Sequence, residues 1–252
     1  MAKALGEENA RGQTDPAAGI VAVMSRAMHS RLRRTEKSVS GRLLHLIFGD
    51  KASPAEDETP MHVIAAYGLS GQNKKSGARA QLARALAKGL EDILDNPEYD
   101  GHKFIIYADT NAVYSKKDRT SGKFNQYDRA KTALWRVLVN AKYELVDVMN
   151  QAYDENPPKT FAPNGIPKSR IDVMFASKSI AGNAKAATGA KLGVLSATHL
   201  PLACSFGDEM EVPDQDRSVE ATRDAAVVLM ATAGGRKWNL SERAGNIYMR
   251  DA

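Results

Sequence analysis

Residues 104–112 read FIIYADTNA, five apolar residues that stop abruptly at an acid, a threonine and an amide. An apolar run this short, closed by polar residues, is a buried strand. The loop at a strand's carboxyl end is where α/β proteins usually gather their chemistry. Asp109 and Asn111 are two apart, so a backbone still extended there would point both side chains to one side. Together they could orient a water and hold an oxygen-seeking cation such as Mg²⁺. The plainer alternative is a turn, because Asp and Asn both make local hydrogen bonds after strands.

Working outward, GIVAVM (19–24), RLLHLIF (42–48) and HVIAAY (62–67) read as strands, with a loop over Lys51 to Thr59. Leu82, Leu86, Leu90, Ile93 and Leu94 fall on one face of a helix that Ser76 could cap and Asn96-Pro97 ends. Ala130, Leu134, Val137, Leu138 and Ala141 mark a second helix, followed by Tyr143 to Met149; Ile171 to Ala176 and Pro201 to Phe206 are late strands. Strands interleaved with two amphipathic helices predict an α/β fold with helices covering the sheet faces. Residues 1–18 read as a disordered leader. Residues 208–252 read as a tail or linker, with a helix predicted from about Val219 to Ala233 and Gly234-Gly235 as its stop.

The 252 residues suffice for one large domain, and no apolar run approaches the length of a bilayer span. The polar start, with Glu7 and Glu8, is neither a secretory nor a transit signal. The single cysteine, Cys204, excludes an internal disulfide framework and an all-cysteine metal site. Its apolar neighbours predict a buried, inert thiol, and an intracellular setting, nuclear or cytoplasmic, fits best. The net charge of +5 and pI near 9.2 are clustered. Arg31, Arg33, Arg34 and Lys37 form one group, Lys74 and Lys75 a second, and Lys116, Lys117 and Arg119 a third. Such clusters suit a polyanion, although a solvated basic surface is the simpler reading.

Three further positions carry chemistry. Asp172 enters an otherwise apolar strand in SRIDVMFAS (169–177), and a buried carboxylate needs a partner, either Arg170 or an imidazole from elsewhere. His199, in SATHLPLACSF (196–206), sits at a loop-to-strand junction where an Asp could orient it. Tyr67 closes HVIAAY; a tyrosine there is commonly half core and half surface, and its hydroxyl could reach a phosphate.

Taken together, AAYG (65–68), ADTNA (108–112), ELVDV (144–148), Thr160-Phe161, SRIDVMF (169–175) and THLPL (198–202) resemble the endonuclease/exonuclease/phosphatase superfamily. That superfamily includes apurinic endonucleases, sphingomyelinases, inositol phosphatases and the endonuclease domains of non-LTR (LINE-type) retrotransposons. The resemblance covers residues 19–207 and is nearest to the retrotransposon branch. It implies a four-layer sandwich, two β-sheets face to face with helices outside. By the same resemblance Asp109 would activate the attacking water, Asn111 would position it or a metal, and Tyr67 would contact the scissile phosphate. His199, held by Asp172, would hydrogen-bond a non-bridging oxygen, and Mg²⁺ or Mn²⁺, on Asp109 and Asn111, would neutralise the leaving oxygen. Asp147 would be structural. Arg42, Lys74, Lys75, Lys116, Lys117, Arg119 and Arg170 would face DNA. A reverse transcriptase of the same element is an implied partner, and no membrane is.

The chain departs from the family's pattern. The family begins with a strand carrying an Asn and another carrying a metal-binding Glu, whereas only 18 polar residues precede Gly19 here, so the domain is expected to lack its first strands. Ser-Asp-His becomes Ala197-Thr198-His199, which makes Thr198 a degenerate position, and Gly-Asp-Phe-Asn becomes Ala108-Asp109-Thr110-Asn111. The expected function is a metal-dependent DNA phosphodiesterase that is a poor nuclease or none on its own. The alternatives are an inactive nucleic-acid-binding remnant, a phosphatase or phospholipase on a small phosphoester, and an interaction module acting through 208–252.

Overall fold

The computed structural model describes residues 2–5, 19–38, 41–49, 59–68, 76–124, 128, 133–188, 199–200, 202–206 and 227–231. Its centre is a six-stranded sheet in the order β3 (Leu32–Ser38), β4 (Leu43–Phe48), β5 (Met61–Tyr67), β6 (Lys103–Asp109), β8 (Asp172–Ser177) and β7 (Leu145–Asp147). Only β5 and β6 run parallel. The short helix α1 (Arg26–Arg31) precedes β3, and the helix α2 (Ser76–Leu94) makes the crossover between β5 and β6, as a parallel pair requires.

The central strands are apolar on both faces because both faces are covered. Ile64, Ala66, Ile106 and Ala108 pack with Leu86 and Leu90 of α2 and with Leu134, Trp135 and Leu138 of α3 (Ala133–Leu138). On the opposite face, Leu44, Leu46, Val63, Ala65 and Tyr67 pack with Ile20 and Ala22 of β2 (Gly19–Met24). β2 is the middle strand of a second sheet, β1 (Ala2–Leu5)–β2–β11 (Val227–Ala231), and β9 (Ala184–Thr188) pairs with β10 (Leu202–Phe206). Helix, large sheet and smaller sheets stack as an α/β sandwich, the fold class predicted from the sequence.

Several expectations need correction. Ala2–Leu5 is a strand on β2, so the disordered reading fails for that segment. Val227–Ala231 is also a strand, on the other edge of β2, where a helix had been predicted. Both reversals share a cause, since β2 offers two unpaired edges and backbone pairing there outweighs local propensity. The helix α3 stops at Leu138, and Ala141 belongs to a separate 3₁₀ turn started by the Asn140 side chain. The Tyr143–Met149 stretch splits into that turn, β7 and the short helix α4 (Val148–Ala152), capped by Asp147. Ala130, Lys51–Glu58 and Lys74–Lys75 lie outside the described residues. Among the described residues no helix is long and apolar enough to cross a membrane.

Two of the residues expected at a DNA surface are instead structural. Arg170 is 4% exposed, ion-paired with Asp118 at 3.4 Å and with Asp147, and stacked over Trp135. Arg42 is 3% exposed, in the turn before β4, with its guanidinium on the Tyr67 ring and its Nη1 donating to the Gly68 carbonyl at 3.2 Å. Their charges are neutralised or bonded inside the protein, which leaves little for a phosphate. Arg170→Met is therefore expected to cost about 3–5 kcal/mol in urea unfolding, because it strands two carboxylates in the interior. A change under about 1 kcal/mol would contradict the structural role.

Candidate active site

The register of β5, β6 and β8 builds the site. Tyr67 pairs with Asp109 across the parallel ladder, and Asp109 pairs with Asp172 across the antiparallel one. Two carboxylates on directly opposed residues repel each other, an arrangement that is destabilising unless something compensates. Burial first, and then the neighbouring charge of Asp172, push the Asp109 carboxyl up to about 8; the charge of His199 and bonds from Asn111 oppose the rise.

Asp172 finds its partner in His199. The imidazole Nδ1 lies 3.0 and 3.2 Å from the two carboxylate oxygens. The choice left open by the sequence between Arg170 and an imidazole is thus resolved for the imidazole. Burial alone would lower the His199 imidazole, but the hydrogen bond and charge of Asp172, with the charge of Asp109, outweigh it and hold the ring at about 9. His199 is accordingly an imidazolium at neutral pH, with Nδ1–H directed at Asp172 and Nε2–H directed away from it. Phe161 lies edge-on to the ring at 5.3 Å.

Asn111 reaches the site by a route the sequence reading missed. The backbone is not extended there but left-handed, with φ of 48°, a conformation Asn tolerates better than most residues. The turn brings the Asn111 N–H onto Asp109 Oδ1 at 3.0 Å, while Nδ2 donates to the Gly68 carbonyl at 3.3 Å. Asp109 and Asn111 do converge, by a tight turn rather than by strand alternation.

Four residues given no role in the sequence reading hold this turn. The buried Thr110 donates its N–H to Ile171 O at 2.7 Å, and its hydroxyl sits 2.7 and 2.8 Å from the carbonyls of Ile171 and Ala112. Trp135 Nε1 donates to Ala112 O at 2.9 Å from beneath. Thr160 Oγ1 accepts from the N–H groups of Ile171 and Asp172, and its carbonyl accepts from Leu200 N, which ties the Asp172 and His199 segments together. Gly68 N donates to Asp109 O at 2.6 Å, and a Cβ at Gly68 would meet Thr110 O at 2.5 Å. Gly68→Ala should therefore force β5 and β6 apart at the site, costing about 1–3 kcal/mol. Urea midpoints measure it, and a neutral substitution would show that the close approach is dispensable. A buried-polar pattern around Thr110 and Thr160 was the available signal, but nothing in the linear sequence says that they are buried.

Tyr67 is 1% exposed, packed in the core beside Arg42 rather than half at the surface. Lys116, Lys117 and Lys123 are exposed on the loop after Asn111, and Lys168 on the segment before β8, whereas Arg119 is ion-paired with Asp128 at 2.9 Å. Thr198, like Lys74 and Lys75, lies outside the described residues. Cys204 is half-buried, and burial pushes its thiol up to about 12.

Asp109, Asp172 and His199 each offer a ligand atom within 4.8 Å of the others. The two carboxylates, with the Asn111 amide beside them, fit a hard divalent cation that keeps several of its waters, while the imidazolium of His199 has no lone pair to offer it. The raised Asp109 points the same way, because a cation would relieve the repulsion between the two acids.

No family model and no curated protein matches the chain. Solved structures do. A 3′–5′ exonuclease (NExo) from Neisseria meningitidis superposes with a TM-score of 0.53 at 15% identity, over 69% of this chain and 71% of that one. An AP endonuclease from Archaeoglobus fulgidus gives 0.52 at 17% identity, over 70% and 72%. The AP endonuclease LMAP from Leishmania major gives 0.51 at 15%, over 77% and 71%. At such identities the likeness is one of fold alone, the α/β sandwich that this chain shares with these solved nucleases.

Proposed function

We propose that the chain is a metal-dependent phosphodiesterase of endonuclease type that acts on DNA and derives from a LINE-type retrotransposon. The observation that carries this reading is the convergence of Asp109, Asn111, Asp172 and His199 from β6, β8 and the start of the β10 segment on one small region. A carboxyl poised near neutrality is matched to accept a proton from water. In the proposed reaction Asn111 holds the water in line and Asp109 takes its proton as the oxygen bonds to phosphorus; the bridging P–O bond opposite breaks, and the departing sugar oxygen takes a proton from solvent. His199, kept charged by Asp172, donates from Nε2 to a non-bridging oxygen where negative charge builds. A bound Mg²⁺ or Mn²⁺, held by Asp109 and Asp172 with Asn111 beside them, would supply charge neutralisation at the phosphoryl oxygens.

DNA as the substrate is supported by the rim. The loop 112–124 and the segment 159–170 are joined by Thr120 N to Lys168 O at 2.9 Å and Thr120 Oγ1 to Pro167 O at 2.8 Å. They expose Lys116, Lys117, Lys123 and Lys168, and their one acid, Asp118, is buried against Arg170. A single-sign rim suits phosphates better than a small neutral substrate. The structural neighbours, named as AP endonucleases and a 3′–5′ exonuclease, agree in substrate class. The retrotransposon origin rests on the spacing from ADTNA to SRID, and it makes a reverse transcriptase of the same element the expected partner in an intracellular setting.

Thr198 at the position of a family acid favours a second reading, a DNA-binding remnant with little or no turnover. Supercoiled plasmid incubated with Mg²⁺ or Mn²⁺ separates the two. Slow, divalent-dependent nicking is the expected result. Binding should weaken with salt, and the joint Lys116→Gln, Lys117→Gln variant should lower the slope of log K against log salt by roughly two. Salt-sensitive binding without any nicking selects the remnant; turnover of a small phosphoester but not DNA would contradict both.

A further inference from the structure

At the far end of the central sheet from Asp109, three histidines form a hydrogen-bonded row. His62 pairs with Phe104 where β5 and β6 begin, and Tyr67 pairs with Asp109 where they end, so the two centres lie about 16 Å apart along the strands. His45 on β4 and His62 on β5 are buried, at 1% and 0% exposed, and His102 just before β6 is half-buried. His45 Nδ1 is 3.1 Å from Glu36 Oε2, His45 Nε2 is 2.8 Å from His62 Nδ1, and His62 Nε2 is 2.8 Å from His102 Nδ1. The other oxygen of Glu36 accepts from Arg34 Nε at 2.8 Å.

Proton counting fixes the row. Three contacts need three protons, and a neutral imidazole carries one. An ionised Glu36 only accepts, so His45 carries its proton on Nδ1 and turns an acceptor Nε2 toward His62. His62 must then carry its proton on Nδ1, and His102 likewise. The all-neutral row therefore has one arrangement, and the nitrogen outside it is His102 Nε2, at the partly exposed end.

The surroundings restrict what can be added. The Tyr99 ring packs across His62 at 4.5 Å, His102 at 5.7 Å and His45 at 5.8 Å. Among the described residues, Arg33 and Arg34 on β3 and Glu98 and Asp100 on the turn complete the charged groups facing the row. Burial pushes all three rings down, His62 to about 3 with the help of His45 and His102. One proton can be taken up without breaking a contact; a second would set two N–H groups against each other across a 2.8 Å gap.

We infer that Glu36, His45, His62 and His102 form a proton relay through the sheet, which takes one proton at His102 and stores its charge on His45 beside Glu36. The proton arrives from a solvent acid at His102 Nε2. His102 passes its Nδ1 proton to His62 Nε2, and His62 passes its own to His45 Nε2. Three N–H bonds form and two break, one proton is gained, and every contact survives, the two between rings with their direction reversed and that from His45 to Glu36 unchanged. The row thus reports a single protonation as a change of tautomer, a pH sensor joining β3 to the turn at residues 96–102.

Imidazole ¹⁵N NMR of the full chain between pH 8 and 5 tests this. At pH 8, His62 and His102 should be protonated on Nδ1. As one proton is bound, both should switch to Nε2–H together while His45 becomes doubly protonated. In Glu36→Gln the charge should remain on His102 and His62 should keep its Nδ1 proton. Independent titration of the three rings, an Nε2–H His62 at pH 8, or no proton uptake before acid unfolding would each overturn the relay; the wild-type spectra decide even if the variant does not fold.

Discussion

Asp109→Asn is expected to remove divalent-dependent nicking, by on the order of 10³-fold or more, and to stabilise the metal-free chain at alkaline pH. The catalytic loss follows from its double duty, proton acceptor and anionic cation ligand; an amide cannot take up the proton and brings no charge to the cation. The gain in stability follows from proton linkage. The folded Asp109 holds its proton up to about pH 8, against 3.8 in the unfolded chain, so from about pH 4 to 8 the folded state binds more protons and stability falls as pH rises. His199 acts in the same direction: raised from 6.5 to about 9, its contribution is complete below 6.5 and is lost as pH climbs through 9. Its support from the Asp109 charge also disappears in the variant. Urea midpoints between pH 6.5 and 9, above the window in which His62 titrates, should decline steeply in the wild type and only gently in Asp109→Asn. Parallel curves would show that the acid is not held protonated by its surroundings.

The second large effect is expected at Asp172. Asp172→Asn should lower nicking by roughly 10²–10⁴-fold, the range for a lost acid–base group, although the substituted residue touches no phosphate in the proposed reaction. Besides its place beside the cation, Asp172 acts through His199. Burial lowers the imidazole, and the Asp172 hydrogen bond and charge outweigh that effect. With the carboxylate gone, burial dominates, and the ring should fall below its ordinary 6.5. At neutral pH the variant would present a neutral imidazole whose tautomer is no longer dictated by an Nδ1 acceptor. Proton NMR of the metal-free chain measures this directly. The His199 ring should titrate near 9 in the wild type and below 6.5 in the variant. A value still near 9 would mean that Asp172 is not its principal partner.

The residues of the site were legible where the chemistry of a side chain conflicts with its place in the chain. An acid inside the apolar strand at Asp172 and a polar stop at Asp109-Asn111 both violate the rule that buried strands are apolar, and such conflicts mark sites. The strands that hold them were legible for the complementary reason, being short, apolar and cleanly bounded. What escaped was set by three-dimensional context. Arg42 and Arg170 look like phosphate-binding cations in sequence, and only the folded chain shows Asp118, Asp147 and the Gly68 carbonyl consuming their charge. Asn111 has the composition of an extended pair with Asp109, but its left-handed backbone belongs to a turn pinned by Thr110 and Trp135. The edge strands Ala2–Leu5 and Val227–Ala231 have weak local signals and owe their form to β2.

The claim on which these results turn is that Asp109, Asp172 and His199 form one cation-dependent centre. Paramagnetic broadening by Mn²⁺ addresses it without any need for turnover. Added Mn²⁺ should selectively broaden the His199 ring signals and leave those of His62 sharp, and Asp109→Asn should abolish the effect. Signals of His199 that stay sharp at saturating Mn²⁺, or broaden equally in the variant, would contradict the account.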